Sequence, residues 1–172
     1  VSHVRAKSTV KRMNDRSDPL VLKGHDMKLR TVAIDGQAIT QDQYDLTEDQ
    51  LILRQVPDRF ELVIEVDIDP ASNTALEGLY ISKGMYCTQC EAEGFRRITY
   101  FIDRPDVMAT YGVRIEADKT DYPVLLSNGN KIDEGDVENG RHFAVWDDPF
   151  PKPSYLFALV AGDLVHLEDQ FN

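Results

Sequence analysis

The chain has 172 residues, 42 % of them apolar, and a formal charge of −11, enough for one domain with a hydrophobic core or two very small ones. No stretch approaches the roughly 20 consecutive apolar residues of a membrane-spanning helix, so a soluble globular chain with no membrane partner is expected. The charge is uneven: residues 1–30 hold eight Lys/Arg against three Asp/Glu, the remainder eleven against 27, and so acidic a bulk repels phosphate backbones, which argues against a nucleic-acid partner.

The chain opens on Val1 with no basic-then-apolar leader ahead of its alternating pattern, as expected of a processed chain or a fragment. Val4, Ala6, Ser8 and Val10 alternate with Arg5, Lys7 and Lys11, which predicts a strand with a solvated basic face. Met27 to Ile34 and Leu51 to Leu53 read as further strands. The clearest period of two runs from Phe60 through Leu62, Ile64 and Val66 to Ile68, with Glu61, Glu65 and Asp67 between them, the signature of a half-buried strand. Residues 91–108 break the pattern and read as loop-rich with a helical turn. Beyond them Tyr111 to Ala117, Val124 to Leu126, Phe143 to Trp146 and Tyr155 to Val160 read as strands, with Pro149 to Pro153 as an extended connector. Asp35-Gly36, Asn128-Gly129 and Asn139-Gly140 have the chemistry of tight hairpin turns. The expected fold class is all-β and mostly antiparallel, a curved, saddle-like sheet or β-sandwich forming one domain over residues 1–172.

Few chemical motifs survive inspection. Cys87-Thr-Gln-Cys90 has the spacing of a redox pair or half a zinc site, but no βαβ unit surrounds it and no second cysteine pair completes four ligands. Two cysteines are too few for a disulfide framework, which points to a reducing, cytoplasmic setting. No His-Glu-x-x-His, Gly-x-Ser-x-Gly, phosphate-binding loop or dinucleotide fingerprint is present. Paired acids such as Asp133-Glu134 and Asp147-Asp148 read as solvated turns. Gln89 and Glu91 differ, since residues two apart in an extended segment face the same side and can converge on one ligand. A carboxylate beside an amide suits a cationic group. The residues alone leave a second reading equally open, in which Glu91 pairs with Arg96 or Arg97 as a structural bridge.

The runs Ala75-Leu-Glu-Gly-Leu-Tyr80, Cys87-Thr-Gln-Cys-Glu-Ala-Glu-Gly-Phe-Arg96, Tyr100-Phe-Ile-Asp-Arg-Pro-Asp106 and Pro149-Phe-Pro-Lys-Pro-Ser-Tyr-Leu-Phe-Ala158 resemble the N-terminal domain of the zinc-dependent aminopeptidases, in their bacterial aminopeptidase N branch. Asn128-Gly129, Glu138-Asn-Gly-Arg141 and Ala161-Gly-Asp163 follow in the family's order, so the resemblance covers most of residues 20–165. Asp103-Arg104-Pro105 is the form of the bacterial branch, where many members carry Asp-Glu-Pro. The resemblance implies a curved antiparallel domain seated against a thermolysin-like catalytic domain. It also implies that Gln89 and Glu91 contact the free α-amino group or first residue of a peptide substrate. The zinc of the full-length enzyme would lie in the catalytic domain, with no metal bound by this chain. Its implied partners are the peptide N-terminus and the enzyme's own catalytic domain, and alone it would be inert. A different class stays open beside this one, a free-standing β-sandwich binding module whose acidic loops meet a basic partner. A third reading is a thiol-redox protein acting through Cys87 and Cys90.

Overall fold

The structure is a computed structural model that describes residues 1–13 and 16–170. Its strands are β1 (Ser2–Lys11), β2 (Leu20–Lys23), β3 (Met27–Ile34), β4 (Gln37–Ala38), β5 (Tyr44–Leu46), β6 (Gln50–Leu53), β7 (Arg59–Ile68), β8 (Gly78–Ser82), β9 (Met85–Gln89), β10 (Met108–Asp118), β11 (Val124–Ser127), β12 (Asn130–Val137), β13 (Arg141–Pro153) and β14 (Leu159–Gly162). The named pairings are all antiparallel. They assemble four sheets, in strand orders β1-β7-β3-β4, β2-β6-β5, β11-β14-β9-β8 and β10-β13-β12. The only helical pieces among the described residues are short 3-10 turns, so the all-β expectation holds.

The alternation in β7 explains the first core. Phe60, Leu62, Ile64, Val66 and Ile68 are all buried and meet Leu22 of β2 and Leu51 and Leu53 of β6, so the first two sheets close face to face. On the outer side, Arg5 and Lys7 of β1 pair with Glu65 and Glu61 of β7 at 3.2 and 2.6 Å, and Arg30 of β3 pairs with Asp67. The basic start is therefore a solvated strand face whose charge is met across the sheet. Such pairs fix register more than they stabilise.

A second core, with Ile115, Leu125, Ala144 and Ala161 at its centre, lies between the other two sheets. Between the two cores sits a third cluster of Cys90, Phe95, Ile98 and Phe157, all buried, two of them from the stretch that breaks the strand pattern. Val4 and Leu79 touch both this cluster and the first core, so the joint is packed continuously.

Three expectations about connections change. Asp35-Gly36 and Asn139-Gly140 do close hairpins, β3–β4 and β12–β13, with positive φ at both residues. Asn128-Gly129 does not, because β11 pairs with β14 and β12 pairs with β13. The turn instead carries the chain from one sheet to another. Asn128 holds it there, donating to the Leu156 carbonyl at 3.1 Å and accepting from the Ala158 N–H at 2.6 Å. Pro149 to Pro153 is extended as expected but belongs to β13, running opposite Met108 and Ala109 of β10 beyond the reach of β12. Its prolines thus face no second ladder. Tyr155 to Val160 is not one strand: Ser154–Leu156 forms a 3-10 turn, and β14 begins at Leu159. The Ser154 hydroxyl is drawn inward to Asp103, and the Phe157 N–H closes on the Ser154 carbonyl at 3.0 Å.

Candidate functional site

The end of β9 and the turn that follows it form an exposed corner at the joint between the two halves. Hydrogen bonding of β9 to β14 reaches Cys87 opposite Val160. There the Thr88 hydroxyl takes over, accepting from the Leu159 N–H at 2.8 Å and donating to the Leu159 carbonyl at 3.1 Å. The strand stops at Gln89, and residues 91–93 turn into the 3-10 segment Gly94–Arg97. The Gly94 N–H closes the turn on the Cys90 carbonyl at 2.9 Å. A Cβ on Gly94 would lie 2.3 Å from the Gln89 carbonyl oxygen and 2.9 Å from the Gly78 nitrogen. Only a hydrogen fits at that approach, which is why the turn lies flat against the β8–β9 hairpin.

Gln89 and Glu91 are both exposed on this corner while Cys90 between them is buried. The Gln89 side-chain amide donates to the Glu91 carbonyl oxygen at 3.2 Å, and the Glu91–Ala92 peptide is cis. The two residues are neighbours because of this turn, not through the strand alternation expected of them. The structural bridge considered for Glu91 does not form. Arg96 pairs with Glu93 at 3.0 Å and Asp103 at 2.9 Å, and Arg97 pairs with Asp26 and, at 3.3 Å, Glu77. Both guanidiniums are already occupied, and among the described residues the Glu91 carboxylate has no hydrogen-bond or ion-pair partner.

Beneath the corner lies a polar cluster that sequence reasoning missed. The Asp103 side chain is 1 % exposed and accepts from Arg96 Nε at 2.9 Å, the Arg96 backbone N–H at 3.2 Å and Ser154 Oγ at 2.5 Å. Arg96 Nη2 also donates to the Asp103 carbonyl at 3.1 Å. The signal available was an acid directly after the apolar run Tyr100-Phe101-Ile102. Its partners, seven and 51 positions away, were not legible.

The cysteines have a different character. Both are free thiols; Cys87 is half-buried and Cys90 is buried. Burial, and secondarily the Asp103 carboxylate, pushes the Cys90 thiol up to about 12, the reverse of the lowered value a reactive thiol needs. No group of three or more His, Cys, Asp or Glu among the described residues could hold a metal ion. The two thiols and their surroundings do not fit a zinc site.

The chain is thus a domain of antiparallel sheets whose exposed corner sets the Glu91 carboxylate beside the Gln89 amide. The match to the family model "Peptidase M1 N-terminal domain" runs over residues 2–156, and the chain belongs to that family. It is 56 % identical over 170 residues to aminopeptidase N of Caulobacter vibrioides, covering 99 % of this chain and 20 % of that protein. To aminopeptidase N of Escherichia coli K12 it is 53 % identical over 168 residues, covering 98 % and 19 %. Among solved structures it superposes on Legionella pneumophila aminopeptidase A, in complex with aspartic acid, with a TM-score of 0.90 and 40 % identity over 95 % of this chain and 20 % of that one. An M1 zinc metallopeptidase of Deinococcus radiodurans shares the fold, with a TM-score of 0.78 at 19 % identity over 93 % of this chain and 37 % of that one. The chain thus spans about a fifth of the length of the curated aminopeptidase N relatives.

Proposed function

We propose that this chain is the substrate-anchoring N-terminal domain, residues 1–172, of a larger zinc metallo-aminopeptidase that removes N-terminal amino acids from peptides. In this reading Gln89 and Glu91 hold the free α-amino group of the substrate. The observation that carries it is the Glu91 carboxylate, exposed and unpartnered among the described residues beside the Gln89 amide, while both neighbouring arginines are engaged elsewhere. A peptide's α-amino group titrates near ~8 and is largely cationic at neutral pH, so a fixed carboxylate attracts it. An internal peptide bond offers a neutral amide at the same place and leaves that carboxylate unpaired, which favours chain ends. The named aminopeptidases among the relatives support the activity. The zinc would belong to residues outside this chain, and the chain by itself would bind without cleaving. A cytoplasmic setting is part of the same reading, supported by two free thiols.

The test is Glu91→Ala in the full-length protein, assayed on an aminoacyl arylamide. A fall in kcat/KM of about tenfold or more is expected; an unchanged value would remove Glu91 from the site.

A further inference from the structure

The polar cluster under the corner has a geometry that apolar packing alone does not require. Phe95 already joins the turn to the segment after β13, stacking edge-on against Phe157 with ring centroids 5.1 Å apart. Asp103 adds directional ties to the same partners. Its carboxylate takes the Arg96 side chain and backbone on one oxygen and the Ser154 hydroxyl on the other. Arg96 in turn reaches Glu93, two positions past Glu91, and its carbonyl accepts the His25 N–H at 2.9 Å. On the other side of Glu91, the Thr88 hydroxyl grips both backbone groups of Leu159. The segment 88–96 is therefore clamped at both ends to residues 154–159, and Gln89 and Glu91 lie in the span between the clamps.

From this we infer that Asp103, acting through Arg96 and Ser154, is a positioning residue for Glu91, the carboxylate of the amine-anchoring pair, an inference that rests on the reading of Gln89 and Glu91 above. A buried carboxylate receiving three hydrogen bonds holds its donors to directions that methylene packing leaves free. Removing its charge loosens Arg96 and, through it, the turn that aims Glu91. The effect falls on capture of the substrate's amino end and thus on KM.

Steady-state kinetics of the full-length protein on an aminoacyl arylamide test this, with Asp103→Asn, Ser154→Ala, Glu91→Gln and the Asp103→Asn/Glu91→Gln pair, each assayed well below its own Tm. Asp103→Asn is expected to raise KM about tenfold while kcat stays within about threefold, and Ser154→Ala to raise KM several-fold in the same direction. The double variant is expected to be no worse than Glu91→Gln alone, because Asp103 acts through that residue. A lowered Tm with unchanged KM, or losses that multiply in the double variant, would overturn the positioning role while leaving Glu91 as the anchor. A Glu91→Gln variant with unchanged KM and kcat would overturn the anchoring reading and this inference together. If Asp103→Asn does not fold, Ser154→Ala and its double with Glu91→Gln decide by the same criteria.

Discussion

Three consecutive side chains at the corner have two different fates. Gln89 and Glu91 face solvent and Cys90 faces the packed joint. Burial first, and the Asp103 carboxylate second, keep the Cys90 thiol protonated up to about 12. An unfolded cysteine titrates near ~8.5, so above that value the unfolded chain holds fewer protons than the folded one. The stability Cys90 contributes is fully present below the unfolded value and is lost as pH rises towards about 12. Burial also raises Tyr111 to about 12, with Asp103 and Cys90 adding to it, which extends the same trend. The chain's Tm is expected to fall steadily between pH 9 and 11, by up to about 1.4 kcal/mol of stability per pH unit from Cys90. Differential scanning calorimetry of Cys90→Ala should show a shallower fall; an equal slope would mean that the thiol does not stay protonated.

At the scale of the element, the hairpin β8–β9 and the turn after it behave as one piece because Gly94 lies against the Gln89 carbonyl and Gly78. Both contacts are backbone, which has little room to yield. Gly94→Ala is expected to destabilise the chain by about 1–3 kcal/mol and to shift the turn that carries Glu91. Gly112→Ala is the matched control, since a Cβ there meets nothing within 4 Å, and it should be near neutral. Urea denaturation of the two variants measures the difference, and equal midpoints would remove the close approach as a constraint. The hairpin itself was poorly legible: Leu79 and Ile81 alternate only briefly, whereas β7 keeps a buried apolar residue at every second position from Phe60 to Ile68, with Val63 buried between them as well. Short strands are specified by their neighbours, and β9 has one on each side.

Across the whole molecule, the two halves are packed together through the joint around Phe95. That ring is buried and meets Phe101, Tyr111 and Phe157 edge-on, with centroids 5.0, 6.0 and 5.1 Å away. Aromatic contacts of this geometry add to simple burial, and truncating a buried Phe typically costs about 3–5 kcal/mol. Phe95→Ala is expected to lose about that much, and hydrogen exchange should report weakened protection in β7 and β13 alike. Loss confined to one half would show that the joint does not couple them.

Read alone, the amino-acid order determined the all-β class, most of the long strands, two of the hairpin turns and the loop-rich character of residues 91–108. These follow from a period of two and from local turn chemistry, both of which depend on near neighbours in the chain. It also singled out Gln89 and Glu91 but left Glu91 between a ligand and an internal ion pair. Only the tertiary structure removed the ion pair, because the partners of Arg96 and Arg97 include Asp26, Glu77 and Asp103, brought together by chain reversal. The same holds for Asn128-Gly129, a turn whose chemistry is local but whose strand partners are set by contacts some 30 residues away. Hydrophobic periodicity reports which face of an element is buried; which charged groups meet there depends on how the sheets close.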